Sequence, residues 1–114
     1  MHKDTLYLLA PGFEDSGQRQ YCPECAELWG VLAYFPAIKE TVNVVYQNIA
    51  KPRREIVELL GEEHQNCPTL VLHDSSMVFG NCGIQVNNGI TFIESARDIG
   101  RYYSLRFGIP APRS

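Results

Sequence analysis

Two cysteines three positions apart are the side chains of this sequence best suited to chemistry. They form the segment Cys22-Pro-Glu-Cys25, and the apolar spacing after it predicts a helix over 22–35. Pro23 fits the first turn of that helix, so we expect Cys22 at the N-cap, where unpaired N–H groups and the helix dipole favour a thiolate. A thiolate is the nucleophile of thiol–disulfide exchange, and a second thiol one turn later can resolve a mixed disulfide. The motif therefore predicts redox chemistry, with Cys22 attacking and Cys25 resolving; the alternative is a structural or inactive pair.

Two carboxylates beside the motif act against the thiolate. Glu24 lies inside the motif and Glu27 follows it closely, and nearby negative charge disfavours the ionised form of a thiol. Fewer thiolates at neutral pH imply a more stable disulfide and therefore a more reducing pair.

Cys67 and Cys82 leave a second chemistry open. With Cys22 and Cys25 they could ligate Zn²⁺ or an iron–sulfur cluster through their thiolates. The spacing does not match a recognised zinc signature, because the second pair is 15 positions apart (82 − 67). The simpler interpretation of Cys67 or Cys82 is a small buried hydrophobic side chain. We therefore expect no required cofactor, with Zn or Fe–S as the alternative.

Alternating strands and helices are predicted to position these cysteines. Apolar and β-branched runs predict strands over 5–10, 41–46, 69–72 and 90–93, and apolar residues at helical spacing predict further helices over 52–60 and 95–107. A helix between the first two strands makes them parallel, and the turn region between the last two makes those antiparallel. The expected architecture is α/β, in the order β-α-β-α-β-β-α, with a four-stranded mixed sheet and helices on both faces. Residues 11–21 and 74–89 are predicted to be long loops near the site end of the sheet.

Composition limits the class of protein further. A chain of 114 residues, 45% of them hydrophobic, is enough for one domain with its own core and too short for two. The net charge of −3 and the scattered basic residues argue against nucleic-acid binding. No apolar run approaches the about 20 residues of a membrane span. We expect a single domain over 1–114 that is cytoplasmic and has no nucleic-acid or membrane partner; the oligomeric state stays open.

The order of the motifs resembles the thioredoxin superfamily over nearly the whole chain. A strand is followed by Cys22-Pro-Glu-Cys25 at the start of a helix, then by Pro68 before a strand, and finally by a hairpin and a helix. Tyr21 before the motif is similar to glutaredoxins, and the segment 92–108 is similar to the N-terminal domain of glutathione transferases. The strongest resemblance is to DUF3088, a bacterial family of uncharacterised thioredoxin-like proteins, through Ala10-Pro-Gly-Phe13 and Tyr21-Cys-Pro-Glu-Cys25.

This resemblance implies a thioredoxin-like fold, thiol–disulfide oxidoreductase activity and a substrate groove. In the superfamily the proline matching Pro68 is cis and lies beside the cysteine pair, and the residue before it pairs through its backbone with a peptide or with glutathione. In glutathione transferases a Glu-Ser pair at a helix start holds the γ-glutamyl end of glutathione. The implied substrate- or glutathione-binding positions are Tyr21, Pro23, Cys67, Pro68, Glu94 and Ser95.

The implied substrate is a protein or small-molecule disulfide, with glutathione as a co-substrate. A thiol at position 67 could also be a third redox participant. A non-catalytic module that binds a peptide in the groove beside Pro68 is a further alternative.

Overall fold

The computed structural model describes residues 2–74 and 82–113 and contains both strands and helices. The strands are β1 (Asp4–Leu9), β2 (Phe13–Asp15), β3 (Gln18–Gln20), β4 (Val42–Gln47), β5 (Thr69–Val71), β6 (Gln85–Asn87) and β7 (Ile90–Ile93). The helices are α1 (Pro23–Tyr34), α2 (Pro36–Lys39), α3 (Arg54–Leu60) and α4 (Ala96–Phe107). None of the described helices is long and apolar enough to cross a membrane.

A mixed sheet of order β4-β1-β5-β7-β6 forms the centre of this α/β fold. β1 and β4 are parallel and β5 and β7 are antiparallel, which confirms the predicted strand directions. The predicted number of four strands is wrong, because β6 adds a fifth within the described residues. β6 has the sequence Gln-Val-Asn, whose polar residues give no signal for a buried strand. It pairs with β7 across the predicted Asn88-Gly89 turn, where both residues have the positive φ that a tight hairpin requires.

The predicted loop over 11–21 contains a second, two-stranded sheet. β2 and β3 are antiparallel and are joined by Ser16-Gly17, with φ values of 54° and 77°. Both strands are largely exposed, so they lack the apolar alternation by which strands are recognised. Of the second predicted loop, residues 75–81 lie outside the described part of the chain.

Two helix boundaries differ from the prediction. The sequence predicted that Pro36 ends α1; in the structure, Pro36 also begins the separate short helix α2. The helix expected from Pro52 begins at Arg54 instead, because the Arg53 backbone is not helical and its N–H donates to Gln65 Oε1 at 2.8 Å. The expected end of α3 at Gly61 is confirmed.

Helix α4 has both of its predicted caps. Ser95 is the N-cap, and its Oγ accepts the N–H of Asp98 at 3.1 Å. Gly108 ends the helix in the left-handed conformation, with φ 75°. These caps fix the N-terminus of α4 at the carboxyl end of β7.

Strand β1 is covered on both faces. Leu6, Tyr7, Leu8 and Leu9 are all buried, and consecutive side chains of a strand point to opposite faces of the sheet. Burial and the neighbouring Glu55 of α3 raise the pKa of Tyr7 above its usual range. Leu9 at the carboxyl end of β1 donates its N–H to the Sγ of Cys25, so the buried strand supports the cysteine motif directly.

Candidate functional site

Cys22 lies at the N-cap of α1, as predicted. Its backbone is extended, Pro23 is in the first turn, and its Sγ accepts the N–H of Cys25 at 3.2 Å. Hydrogen-bond donation from a helix N-terminus stabilises negative charge on the acceptor. The Cys22 side chain is half-buried and therefore still accessible from outside.

Cys25 is the buried member of the pair, at 4% exposure. Its Sγ accepts the N–H of Leu9 at 3.4 Å, which ties the first turn of α1 to the end of β1. Burial and the hydrogen bond with Cys22 raise the pKa of Cys25 to about 12, although the Leu9 N–H acts in the opposite direction. Cys25 is therefore a protonated thiol at neutral pH.

The loop before β5 lies against this pair. The Cys67–Pro68 peptide bond is cis, as the resemblance implied. The Sγ of Cys22 lies 4.0 Å from the carbonyl oxygen of Cys67, at the long end for a hydrogen bond to sulfur. Asn66 holds the loop to the strand ends, since its carbonyl accepts from Thr69 Oγ1 at 2.6 Å and its Nδ2 donates to the Glu94 carbonyl at 2.6 Å.

Arg53 is a buried cation that supports the same loop, with 8% exposure. Its Nε donates to the Asn48 carbonyl at 3.0 Å, its Nη2 to the Ile49 carbonyl at 3.0 Å and its Nη1 to the Gln65 carbonyl at 2.5 Å. These acceptors are neutral, so the hydrogen bonds satisfy the guanidinium without cancelling its charge. The sequence predicted no role for Arg53, because its three acceptors come from two loops and form no local pattern.

The charge of Arg53 acts on Cys67. Burial raises the pKa of Cys67 to about 11, while Arg53 and Lys51 lower it and Cys22 raises it. Cys67 also contributes to the raised pKa of Cys25. The structure therefore brings Cys22, Cys25 and Cys67 within electrostatic reach of one another.

Cys82 has a different environment. It is buried, and burial together with the nearby carboxylate of Asp98 on α4 raises its pKa. The charges that act on it are thus those of α4, whereas those that act on Cys67 belong to the cysteine pair and to the loop at 51–53. Among residues 2–74 and 82–113, no group of three or more His, Cys, Asp or Glu side chains is arranged to hold a metal ion.

Glu94 and Ser95 lie at the junction of β7 and α4. Glu94 accepts from Gln85 Nε2 at 2.6 Å, and its other carboxylate oxygen lies 3.2 Å from His64 Nδ1. The hydroxyl of Ser95 accepts the capping hydrogen bond of α4. Through Asn66, this junction is connected to the cis-proline loop.

The two carboxylates near the motif are engaged by α4. Glu24 Oε1 accepts the N–H of Ala96 at 3.2 Å, and Glu27 Oε2 lies 2.9 Å from Arg97 Nε. Because a helix N-terminus and a guanidinium both carry positive charge, they offset part of the repulsion that the sequence predicted for a Cys22 thiolate.

An apolar hollow opens beside the cysteine pair. Its volume is about 370 Å³, and neutral residues line it: Leu9, Ala10, Pro11, Tyr21, Cys22, Cys25, Ala26 and Trp29. Tyr21 is 67% exposed. A second hollow of about 600 Å³ lies against the β2–β3 hairpin and includes Glu14 and Arg19. The cysteine pair thus borders a space large enough for a substrate side chain.

The fold and the site together define a class: mixed α/β proteins with a Cys-Pro-x-Cys motif at a helix start and a cis-proline loop against it. The chain belongs to the family described as "Protein of unknown function (DUF3088)", whose model matches residues 3–111. This confirms the family that the sequence motifs indicated. No curated protein and no solved structure gives a match to the chain.

Proposed function

We propose that this protein is a thioredoxin-like thiol–disulfide oxidoreductase. One observation carries the proposal: the Sγ of Cys22 accepts a helix N-terminal N–H at 3.2 Å and lies 4.0 Å from the carbonyl that precedes cis-Pro68. A sulfur so placed has a donor that stabilises its negative charge, and beside it a carbonyl of the loop before β5 with which a substrate backbone can pair.

The proposed reaction is two successive exchanges at sulfur. The Cys22 thiolate attacks one sulfur of a substrate disulfide, the substrate S–S bond breaks, and the first substrate thiolate leaves and takes up a proton. Cys25 then loses its proton and attacks the Cys22 sulfur, which releases the second substrate thiolate. The substrate gains two electrons and two protons, and the protein is left with a Cys22–Cys25 disulfide. Two molecules of a reducing thiol, with glutathione as the proposed donor, restore the pair by the reverse exchanges.

The burial of Cys25 fits a resolving thiol. Its raised pKa keeps it protonated until the mixed disulfide forms, so it does not compete with Cys22 for substrate. Its attack is intramolecular and therefore needs no access from solvent.

Substrate binding is proposed for the surfaces next to Cys22. Tyr21 and Pro23 flank the nucleophile, and Cys67 and Pro68 offer the backbone of the loop before β5. For glutathione, the positive end of the α4 dipole, next to Glu94 and Ser95, would attract one of its carboxylates.

The test is disulfide reduction with glutathione as electron donor. We expect Cys22→Ser to abolish turnover, because Cys22 is the half-buried thiol at the N-cap of α1 and the other three cysteines are buried. Cys82→Ala is the matched control, since it also removes one cysteine sulfur but lies against α4, and it should keep the wild-type rate. Equal rates for wild type and Cys22→Ser would refute the proposal, and retained peptide binding without turnover would favour a binding module.

A further inference from the structure

Cys67, the residue before cis-Pro68, is a second cysteine neighbour of Cys22 besides its partner in the motif. The Cys22 sulfur accepts from Cys25 on α1 and at the same time contacts the carbonyl of Cys67 on the loop before β5. The electrostatic interactions link all three cysteines, including Cys25 with Cys67. A mixed disulfide on Cys22 would thus have two cysteines, Cys25 and Cys67, as neighbours.

The burial of Cys67 does not exclude it from this chemistry. Its exposure is 7%, close to the 4% of Cys25. An attack on a disulfide held by Cys22 occurs inside the protein, so neither thiol has to reach solvent. Burial also keeps Cys67 from reacting directly with bulk oxidants or alkylating reagents.

Two cations distinguish the surroundings of Cys67 from those of Cys25. Lys51 and the buried guanidinium of Arg53 both favour the Cys67 thiolate. Arg53 is fixed there by carbonyl groups, which leave its positive charge in place. The side-chain neighbours that act on Cys25 are thiols, and the pKa of Cys25 is the higher of the two.

From this arrangement we propose that Cys67 is a second resolving thiol, which attacks the mixed disulfide on Cys22 and forms a Cys22–Cys67 disulfide. The inference rests on the proposed oxidoreductase function. Cys67 loses its proton, its thiolate attacks the Cys22 sulfur, the bond from Cys22 to the substrate sulfur breaks, and the substrate leaves as a thiol after protonation. The electron count equals that of resolution by Cys25, and glutathione reduces the product in the same way. The chain thereby has two intramolecular routes to release its substrate.

The test removes Cys25 and follows the fate of the mixed disulfide. Reduced Cys25→Ser protein is mixed with a small excess of oxidised glutathione, and acid-quenched samples are analysed by intact mass and peptide mapping without reduction. We expect a glutathione adduct on Cys22 that decays while a Cys22–Cys67 disulfide appears.

Two double variants serve as the decisive pair. In Cys25→Ser/Cys67→Ala the adduct on Cys22 should persist, whereas in Cys25→Ser/Cys82→Ala it should decay as in the single variant. Both second changes remove a buried sulfur, so they control for a general effect on packing. If the adduct on Cys22 persists equally in all three proteins, Cys67 does not resolve it, and the oxidoreductase proposal stands without this inference. If Cys22 forms no adduct in any of them, both proposals fail.

The electrostatic part has its own variant. Lys51 is exposed, so Lys51→Met should fold normally, and in the Cys25→Ser background it should slow decay of the adduct about two- to fivefold. Lys3→Met removes an exposed lysine immediately before β1 and should leave the rate unchanged. Equal rates for the two lysine variants would contradict the assistance assigned to the cations.

Discussion

Arg53 is expected to be a main support of the candidate site, and its replacement gives the sharpest test of the structure. Three of its side-chain hydrogen bonds reach carbonyls in two loops, at residues 48–49 and at Gln65. Arg53→Met keeps most of the apolar stem and removes all three bonds. Because Gln65 lies two residues before Cys67, the loss should also loosen the cis-proline loop.

The magnitude follows from the bonds removed. A hydrogen bond from a charged group contributes about 1.5–3 kcal/mol, so three independent bonds set an upper bound of roughly 9 kcal/mol. Bonds made by one side chain are not additive, and loop carbonyls can bind water again, so we expect a loss of about 3 kcal/mol in the free energy of unfolding. Against the about 5–15 kcal/mol of a typical domain, such a loss is large. Arg53→Lys keeps the charge but not the forked geometry, and its loss should be intermediate.

Urea denaturation followed by the fluorescence of Trp29, the single tryptophan, measures this loss. Arg54→Met is the matched control, because Arg54 is the next residue and is exposed; it should change stability by less than about 0.5 kcal/mol. An Arg53→Met protein as stable as Arg54→Met would refute the assigned role of Arg53.

Three further perturbations test other contacts of the fold. Ser95→Ala removes the N-cap of α4 and should cost about 1 kcal/mol in urea denaturation; no loss would contradict the capping bond. Arg106→Met breaks a mostly buried pair with Asp4, which keeps only the N–H of His73 among the bonds described, so we expect a loss of about 2–3 kcal/mol. A negligible loss of unfolding free energy at pH 7 would show that the pair contributes no more than an exposed ion pair, and it would contradict this prediction. The pKa of Cys25 rises from 9.0 to about 12 on folding, so its neutral form stabilises the fold below pH 9. That contribution to the free energy of unfolding is lost as the pH rises from 9 towards 12. Cys25→Ala should therefore lose less stability than the wild type over this pH range, and equal pH dependences of the free energy of unfolding would refute the prediction.

The parts of the site that local chemistry determines could be predicted from the sequence. The N-cap position of Cys22 follows from Pro23, and the ends of α4 follow from Ser95 and Gly108, because caps depend on the residues beside them. The cis bond before Pro68 was an implication of the family resemblance and is confirmed. Cys22, Ser95 and Gly108 therefore carry their structural signal in their own type and spacing, whereas the cis bond came from the resemblance.

The missed elements lack such a signal. β2, β3 and β6 are short and polar, so they have no apolar alternation, and only the turn residues Ser16-Gly17 and Asn88-Gly89 mark them. The position of Arg53 depends on carbonyl groups that the tertiary fold brings together. The engagement of Glu24 and Glu27 by α4 likewise depends on a contact about 70 positions away in sequence. Contacts between distant segments, rather than local pattern, decide these features.

A redox titration tests the central claim most directly. The purified protein is equilibrated in graded mixtures of reduced and oxidised glutathione and analysed by intact mass and peptide mapping without reduction. We predict a loss of two hydrogens in an intramolecular disulfide that includes Cys22, with Cys25 as its main partner, and a midpoint that gives the potential of the pair. A Cys22 that stays reduced across the whole range, or thiols that react only after a chelator is added, would contradict the oxidoreductase function and indicate an inactive or metal-holding motif.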